Sequence, residues 1–499
     1  MTMALFLLYF GFWWIYRLED LPGLHADEAW SGLKAIHFKK INSVDQLSGM
    51  NYYTGILQAL ISDLTFRAFG IGVFQLRAGG AILNLLSILL LSSALLREAN
   101  YKTMVIFLVI IAQSALFLIS PRVAWEVNSL TSFFISLLFI SLSKIARNKG
   151  DISHWCVLFL FTNILGTYNH IIFSCISVSA FFGLLFWTAI HKCGRYGNVL
   201  LLLTINLVNL IIVYLSMRYL VDSVLALFPY VLAFTSIVLL GETALYRHLI
   251  SVKYLNMISV TFSPVLINGI LILSLVSFLT FHGMAFLQTV SNYKIILQSY
   301  SREYSLIIQG IFIISGGSYV YYFFLCVCKG LRHPRYSVFA FMLLSYMGFL
   351  NFYTLDTSFR YYLALYACTS FYIAYYVGSY QVPSKKLVVG LVSGFIILNS
   401  VLLDIFFFDK KPLRAIEFNI GNGQIETSAH FLPKQPLLNF LEKNEIGEII
   451  YLEKDFYFIQ EPIKFYKLID PWIEKRQNKA IIDFDFNGYK NGFMLHNER

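Results

Sequence analysis

The chain has 499 residues, of which 58% are hydrophobic and only 13% charged, with a formal net charge of +10. Soluble domains carry roughly a quarter charged residues, so this composition excludes an ordinary water-solvated fold. Residues 409–499 hold 13 Lys/Arg against 14 Asp/Glu. The basic excess therefore belongs to the apolar part, in short loops, which argues against a nucleic-acid partner.

A hydrocarbon core about 30 Å thick needs runs of roughly 20 apolar residues. Such runs occur near residues 3–16, 76–96, 103–120, 130–143, 154–170, 171–190, 198–217, 221–240, 257–279, 305–327, 337–352, 361–380 and 387–408. They predict an all-α polytopic membrane protein with about 13 transmembrane helices over residues 1–408. The first run starts at Met1 with no basic flank. It reads as a cleaved signal peptide lacking a small-residue cleavage site, or as a start set too far downstream.

Lys and Arg orient the bundle, because cytoplasmic loops carry the excess. With a cytoplasmic N-terminus, every second loop is basic: Arg97/Lys102, Lys144/Arg147/Lys149, Lys192/Arg195, Arg247/Lys253, Lys329/Arg332/Arg335 and Lys385/Lys386. The opposite loops hold little beyond Arg122, Arg218, Lys294, Arg302 and Arg360. This places a long first loop, residues 17–75, and the polar C-terminal segment on the extracytoplasmic side of a bacterial inner or plasma membrane.

Within the first loop, Glu28 to Phe38 and Tyr53 to Phe69 carry apolar residues at helical spacing, as surface-lying amphipathic helices do. After Asp409 the pattern becomes that of a small α/β domain over 409–499. A helix is expected from Pro436 to Asn444, with strands at Glu448–Leu452 and Lys479–Phe484. The six cysteines lie in or beside apolar runs and show no disulfide or zinc spacing.

The most informative residues are Asp27 and Glu28, about ten residues past the first run. Two adjacent acids at a membrane boundary are costly to desolvate without partners. The bland reading is a helix start, since an acid caps or opens a helix well. His170, at the expected turn between two spans, and Asp63, four residues before Arg67, carry a similar choice between substrate contact and a satisfied or solvated surface group. So does Asp356, in the turn before Arg360.

Asp27-Glu28-Ala29 resembles the acidic motif that GT-C membrane glycosyltransferases place in their first extracytoplasmic loop. The resemblance is to the protein O-mannosyltransferases and lipid A aminoarabinose transferases. It continues through Tyr52-Tyr53-Thr54-Gly55-Ile56-Leu57, Phe69-Gly70 followed by Leu76-Arg77, Ser120-Pro121-Arg122-Val123-Ala124-Trp125-Glu126, and Phe359-Arg360-Tyr361-Tyr362. A Lys-Pro-Pro segment common in the family is replaced by Asn51-Tyr52-Tyr53-Thr54-Gly55, so one phosphate-contacting lysine is missing.

The resemblance implies transfer, with inversion, of a sugar from a polyprenyl-phosphate donor in the bilayer to an unknown extracytoplasmic glycan, lipid or protein. Asp27 would be the general base. Glu28 would orient the acceptor, hold Asp27 or bind a cation, with Mg or Mn left open and no metal assigned. Arg360, Arg122, Arg77, Lys294 and Arg302 are candidates for charge compensation on the phosphate. Tyr361, His170 and Tyr53 are further candidates for substrate contact. The rivals are a polysaccharide polymerase or ligase of another membrane family, whose long loop usually comes late, and a lipid or solute transporter. A transporter is expected to show repeats or matching broken spans, which are not seen.

Overall fold

About thirteen apolar runs, with every second loop between them basic, should give long helices whose ends gather at two faces. The computed structural model describes residues 2–21, 23–37, 49–50, 54–147, 153–191, 264–291, 302–351, 359–379, 431–432, 446–451, 456–469, 478–483 and 494–496. Within these the elements are α1 (Thr2–Ile15), β1 (Leu24–His25), α2 (Ala26–His37), α3 (Leu57–Phe69), α4 (Val73–Glu98), α5 (Tyr101–Ala112), α6 (Ala115–Ile119) and a 3-10 turn, Ser120–Arg122. They continue with α7 (Glu126–Arg147), α8 (Ser153–Asn169), α9 (Phe173–His191), α10 (Pro264–Phe281), α11 (Gly283–Ser291), α12 (Arg302–Gly330), α13 (Pro334–Leu350) and α14 (Phe359–Ser379). The C-terminal segment adds β2 (Phe431–Leu432), β3 (Ile446–Tyr451), α15 (Phe456–Ile469), β4 (Asn478–Asp483) and β5 (Met494–His496).

The runs expected at 198–217, 221–240 and 387–408, and the helix expected at 436–444, lie outside the described residues. The other expected runs fall on described helices, except that residues 257–263 of the run 257–279 lie outside the described residues and the run 103–120 is divided. Among the described residues, α4 and α7 are long and apolar enough to cross a membrane, and α1, α5, α9 and α10 contain shorter apolar stretches. The run 103–120 is not one helix. Ser114 Oγ accepts the Phe117 N–H at 3.1 Å, capping a new helix, so α5 stops and α6 begins.

Beside a large apolar core that includes Trp14, Phe139 and Tyr372, part of the burial is inverted relative to a protein in water. Leu8 is 70% exposed, Leu273 70% and Ile314 70%, whereas Asn84, Ser87, Ser129, Ser141, Asn163 and Thr167 are buried. In lipid, apolar side chains can face outward, and small or polar residues bring helices together. Helix contacts follow that rule. A β-carbon on Gly80 of α4 would stand 2.5 Å from Ser129 Oγ of α7, and one on Gly183 of α9 would stand 2.8 Å from Met342 Cβ of α13. Helix α3 shows the same inversion, burying Gln58 and Ser62 while exposing Leu60 and Leu64.

Among the described residues, the basic loops around residues 97–102, 144–147 and 329–335 meet at one end of the bundle. Lys144 pairs with Glu98, Arg335 donates to the Glu98 carbonyl, Asn100 Nδ2 donates to the Gly378 carbonyl at 2.9 Å, and Trp187 Nε1 donates to the Pro334 carbonyl at 2.8 Å. The end of α1, the starts of α4, α7 and α14, and the α8–α9 turn meet at the other end, with α2 and α3 against them.

The C-terminal segment forms a βαβ unit in which β3 and β4 run parallel across α15, with β5 antiparallel beside β4. Parallel neighbours need such a crossover. The helix at 456–469 was not expected from the sequence, and Pro462 lies inside it. This segment packs on the first loop. Leu24 pairs with Leu432 and His25 with Phe431. Phe465 of α15 lies against Phe66 of α3, rings tilted and centroids 6.2 Å apart, and closes on Gly32 of α2, where a β-carbon would stand 2.6 Å from Phe465 Cε2.

Candidate active site

Helix α2 begins immediately after β1, and its first turn carries both acids. Asp27 and Glu28 project differently, because consecutive helical residues are rotated by about 100°. Glu28 is fully buried. Its Oε1 accepts the His25 N–H at 2.9 Å and an N–H from Arg77 Nη2, and its Oε2 accepts Arg77 Nε at 3.0 Å and the Ala124 N–H at 3.0 Å. A carboxylate offers about four lone-pair sites, so Glu28 is saturated.

Arg77, at the head of α4, is likewise fully buried. Besides its two-pronged pairing with Glu28, it donates Nη1 to the Leu18 carbonyl at 2.9 Å and Nη2 to the Gly23 carbonyl at 2.8 Å. Charge-assisted, bidentate bonds of this kind fix geometry strongly. Arg122 holds the end of α1. It donates Nη1 to the Trp13 carbonyl, Nη2 to those of Tyr16 at 2.7 Å and Leu21 at 2.8 Å, and Nε to Leu21 at 3.1 Å. A cation at a helix C-terminus meets the negative end of the dipole. Burial foremost, then the charges of Arg77 and Arg17, pushes its pKa down.

Asp27 keeps 22% of its side chain accessible. Its backbone N–H donates to His25 Nδ1 at 3.0 Å, and the indole Nε1–H of Trp125 donates to the same nitrogen at 3.0 Å. Neither donor can accept, so His25 Nδ1 carries a lone pair and its proton sits on Nε2. The 3.8 Å approach of Asp27 Oδ2 to that nitrogen is therefore not an ion pair. Sequence reasoning did not single out His25 and Trp125. A histidine two residues before an acidic pair is the only local signal.

Trp125 leads to a second group. Asn169 Nδ2 donates to the Glu126 carbonyl at 2.9 Å, and the neighbouring His170 forms an isolated bridge with Thr54. Gly55 N–H donates to the Asn169 carbonyl at 3.2 Å. Only glycine permits this approach, since a β-carbon there would stand 2.5 Å from the Tyr168 carbonyl oxygen. His170 Nδ1 accepts the Ile172 N–H at 3.2 Å, and its ring lies 5.7 Å from that of Tyr361. The structure thus gathers Asp27, Glu28, Arg77 and Arg122 around α2, and His170 and Tyr361 one connection away. Arg360 is the second residue of α14, next to Tyr361. Tyr53, Lys294 and Asp356 lie outside the described residues. Asp63 pairs with Arg67 at 2.7 Å on the outer side of α3.

Among the described residues no three His, Cys, Asp or Glu side chains gather around a point that could hold a metal ion. The donor set does not fit a resident cation at the pair, because the Glu28 oxygens and His25 Nδ1 already accept N–H groups.

No protein-family model matches the chain, and no curated protein matches it in sequence. Among solved structures it is similar to ArnT from Cupriavidus metallidurans in the apo state, at 12% identity over 74% of this chain and 77% of that one, TM-score 0.36. It is similar to the same protein bound to undecaprenyl phosphate, TM-score 0.35. It is also similar to the oligosaccharyltransferase AglB from Archaeoglobus fulgidus in complex with an inhibitory peptide and a dolichol-phosphate, at 15% identity over 82% of this chain and 55% of that one, TM-score 0.43. At such identities the chemistry has to be read from this chain's own residues.

Proposed function

We propose that the chain is a multi-span membrane glycosyltransferase that moves a sugar from a polyprenyl-phosphate donor to an acceptor on the extracytoplasmic face, with Asp27 as general base. The observation that carries this reading is the division of labour within the acidic pair. Glu28 is spent on Arg77 and two backbone amides, while Asp27 stands beside it on the same rigid helix start with an accessible carboxylate. The ordered motifs of the sequence point to the same chemistry.

In the proposed step the acceptor hydroxyl attacks the anomeric carbon from the face opposite the phosphate. The new C–O bond forms as the bond from that carbon to the phosphate oxygen breaks, so configuration inverts. Asp27 takes the hydroxyl proton, and polyprenyl phosphate leaves with the electron pair. A positioned carboxylate base contributes about 10²–10⁴-fold. Glu28 and Arg77 act as positioning residues, and Arg122 secures the end of α1. Because those two guanidinium groups are held by carbonyls and by Glu28, Arg360 is assigned to the leaving phosphate, where preorganised positive charge lowers the barrier. Tyr361, His170 and Tyr53 are assigned to the donor side of the site. The full count of about thirteen spans, the outward placement of residues 17–75 and 409–499, and the bacterial envelope setting belong to this proposal.

The test is to supply the purified protein with a panel of polyprenyl-phosphate sugars and acceptor fractions from a bacterial envelope and follow label transfer. Transfer that Asp27→Asn abolishes is the expected result. Transfer unchanged by Asp27→Asn overturns the base assignment. Solute or lipid flux in vesicles with no transfer overturns the enzyme reading.

A further inference from the structure

Helices α4, α7 and α14, with the stretch around Ser120, enclose a cavity of about 20 Å³. Its lining includes Asn84, Ser120, Asn128, Thr131, Ser132 and Ala364. Asn84, Asn128 and Thr131 are each more than nine-tenths buried, and their Oδ1, Oδ1 and Oγ1 atoms have no hydrogen-bond partner among the described residues. Buried polar atoms are ordinarily paired, so three orphans around one space mark it as built for something that is not part of the described chain.

Position and chemistry narrow what that is. Asn128 and Thr131 lie in the first two turns of α7, just past Trp125 and Glu126, and Ala364 lies one turn beyond Tyr361. The cavity thus draws lining residues from about one helical turn past Trp125 and one past Tyr361. Among the described residues no charged side chain lines it, and the lining atoms favour a neutral hydrogen-bonding group. Two amide oxygens and one hydroxyl suit neutral O–H donors. A water needs about 10–15 Å³, so the space admits one or two oxygen-sized groups and not a sugar ring.

We propose that this cavity is a hydroxyl-recognition subsite, receiving one hydroxyl or hydroxymethyl group of the sugar being transferred. Its O–H donates to one of the two amide oxygens, Asn84 Oδ1 or Asn128 Oδ1, and its oxygen accepts from Thr131 Oγ1. The proposal rests on the glycosyltransferase reading and sharpens it, because it makes the protein selective for a hydroxyl at one position of the sugar. Asn84 cannot serve as the probe residue: its Nδ2 donates to the carbonyls of Gly80, Asn128 and Ser129 and joins α4 to α7.

The experiment uses full-length protein, the best polyprenyl-phosphate sugar of the panel, and analogues of that donor each lacking one hydroxyl. In the wild type, one deoxy analogue should have a KM about three- to tenfold higher than its parent, the range of a single net hydrogen bond. Thr131→Val and Asn128→Leu should raise the parent's KM by the same factor, leave kcat and the melting temperature near the wild type, and abolish discrimination against that analogue alone. Undiminished discrimination in both variants overturns the proposal, as does a donor-bound structure in which ordered water still fills the cavity. If the wild type transfers no sugar from any donor, the glycosyltransferase reading itself has failed, a result distinct from loss of selectivity.

Discussion

Arg77 and Glu28 lie 49 residues apart in sequence and hold each other with no solvent access to either side chain. Between them they also fix the carbonyls of Leu18 and Gly23 and the amides of His25 and Ala124. The pair thus ties the exit of α1, the start of α2, the head of α4 and the approach to α7 into one joint.

Breaking one partner leaves the other charge buried and alone. Arg77→Met or Glu28→Gln is expected to cost about 3–5 kcal/mol. The double variant should cost less than the sum, because neither charge is then stranded. Thermal unfolding of the purified variants in detergent measures both. An additive double variant would show that the two side chains are not coupled.

Asp27→Asn is the contrasting change. It removes a part-exposed carboxylate that takes no part in the Arg77–Glu28 bonds, so the melting temperature should fall less than in Glu28→Gln while the transfer rate falls about 10²–10⁴-fold. Glu28→Gln should lower activity and melting temperature together. Rate and unfolding measured on the same samples separate the two roles.

Gly55→Val should detach the end of the first loop from the α8–α9 turn. The nearest obstacle is the Tyr168 carbonyl oxygen, 2.5 Å from the ideal β-carbon, and backbone cannot give way as a flexible side chain can. The expected readout is new protease sensitivity around residue 55 and loss of transfer, with the rest of the bundle resistant. A wild-type cleavage pattern would mean that the contact is dispensable.

Trp125→Phe keeps the aromatic packing but deletes the donor 3.0 Å from His25 Nδ1. The expected loss of stability is about 1 kcal/mol. Turnover should fall further than that loss explains, since the helix start carrying Asp27 loses one of its anchors. A Trp125→Phe enzyme with unchanged kcat would place His25 outside the catalytic framework.

Phe465→Ala tests the cover that the C-terminal segment places on α2. Phe465 is fully buried against Gly32 and lies near Phe66, and truncating such a side chain costs about 3–5 kcal/mol. Proteolytic release of the segment after residue 409 should become easier. Unaltered resistance would mean that the βαβ unit is held by other contacts.

Much of the bundle was legible in the sequence because a span is a local property: about 20 apolar residues announce themselves without knowledge of their neighbours. The helices Ala26–His37 and Leu57–Phe69 were legible for a similar reason, from helical spacing. The break at Gln113–Ser114 was hidden because a serine cap inside an apolar run leaves the hydropathy unchanged. The helix at 456–469 was hidden by Pro462. In the site, Asp27 and Glu28 could be named from their position, but not their different surroundings. That difference depends on Arg77 and Ala124, which reach Glu28 from distant parts of the chain, and on Trp125 meeting His25. Which arginines are occupied by carbonyls is a fact of packing that sequence does not carry.

The pairing of Leu24 and His25 with Leu432 and Phe431 also sets an order in time. Ribosomes add roughly 5–20 residues per second, so the partner strand follows β1 by tens of seconds, after the intervening helices have been inserted. Until then β1, which leads directly into the Asp27 helix, has no sheet partner there. The joint of Arg77 and Glu28 needs residues only as far as Ala124, whereas the face toward the C-terminal segment also needs Phe431, Leu432 and Phe465. A chain halted before residue 431 would carry the acids without the strand and helix that pack against β1 and α2.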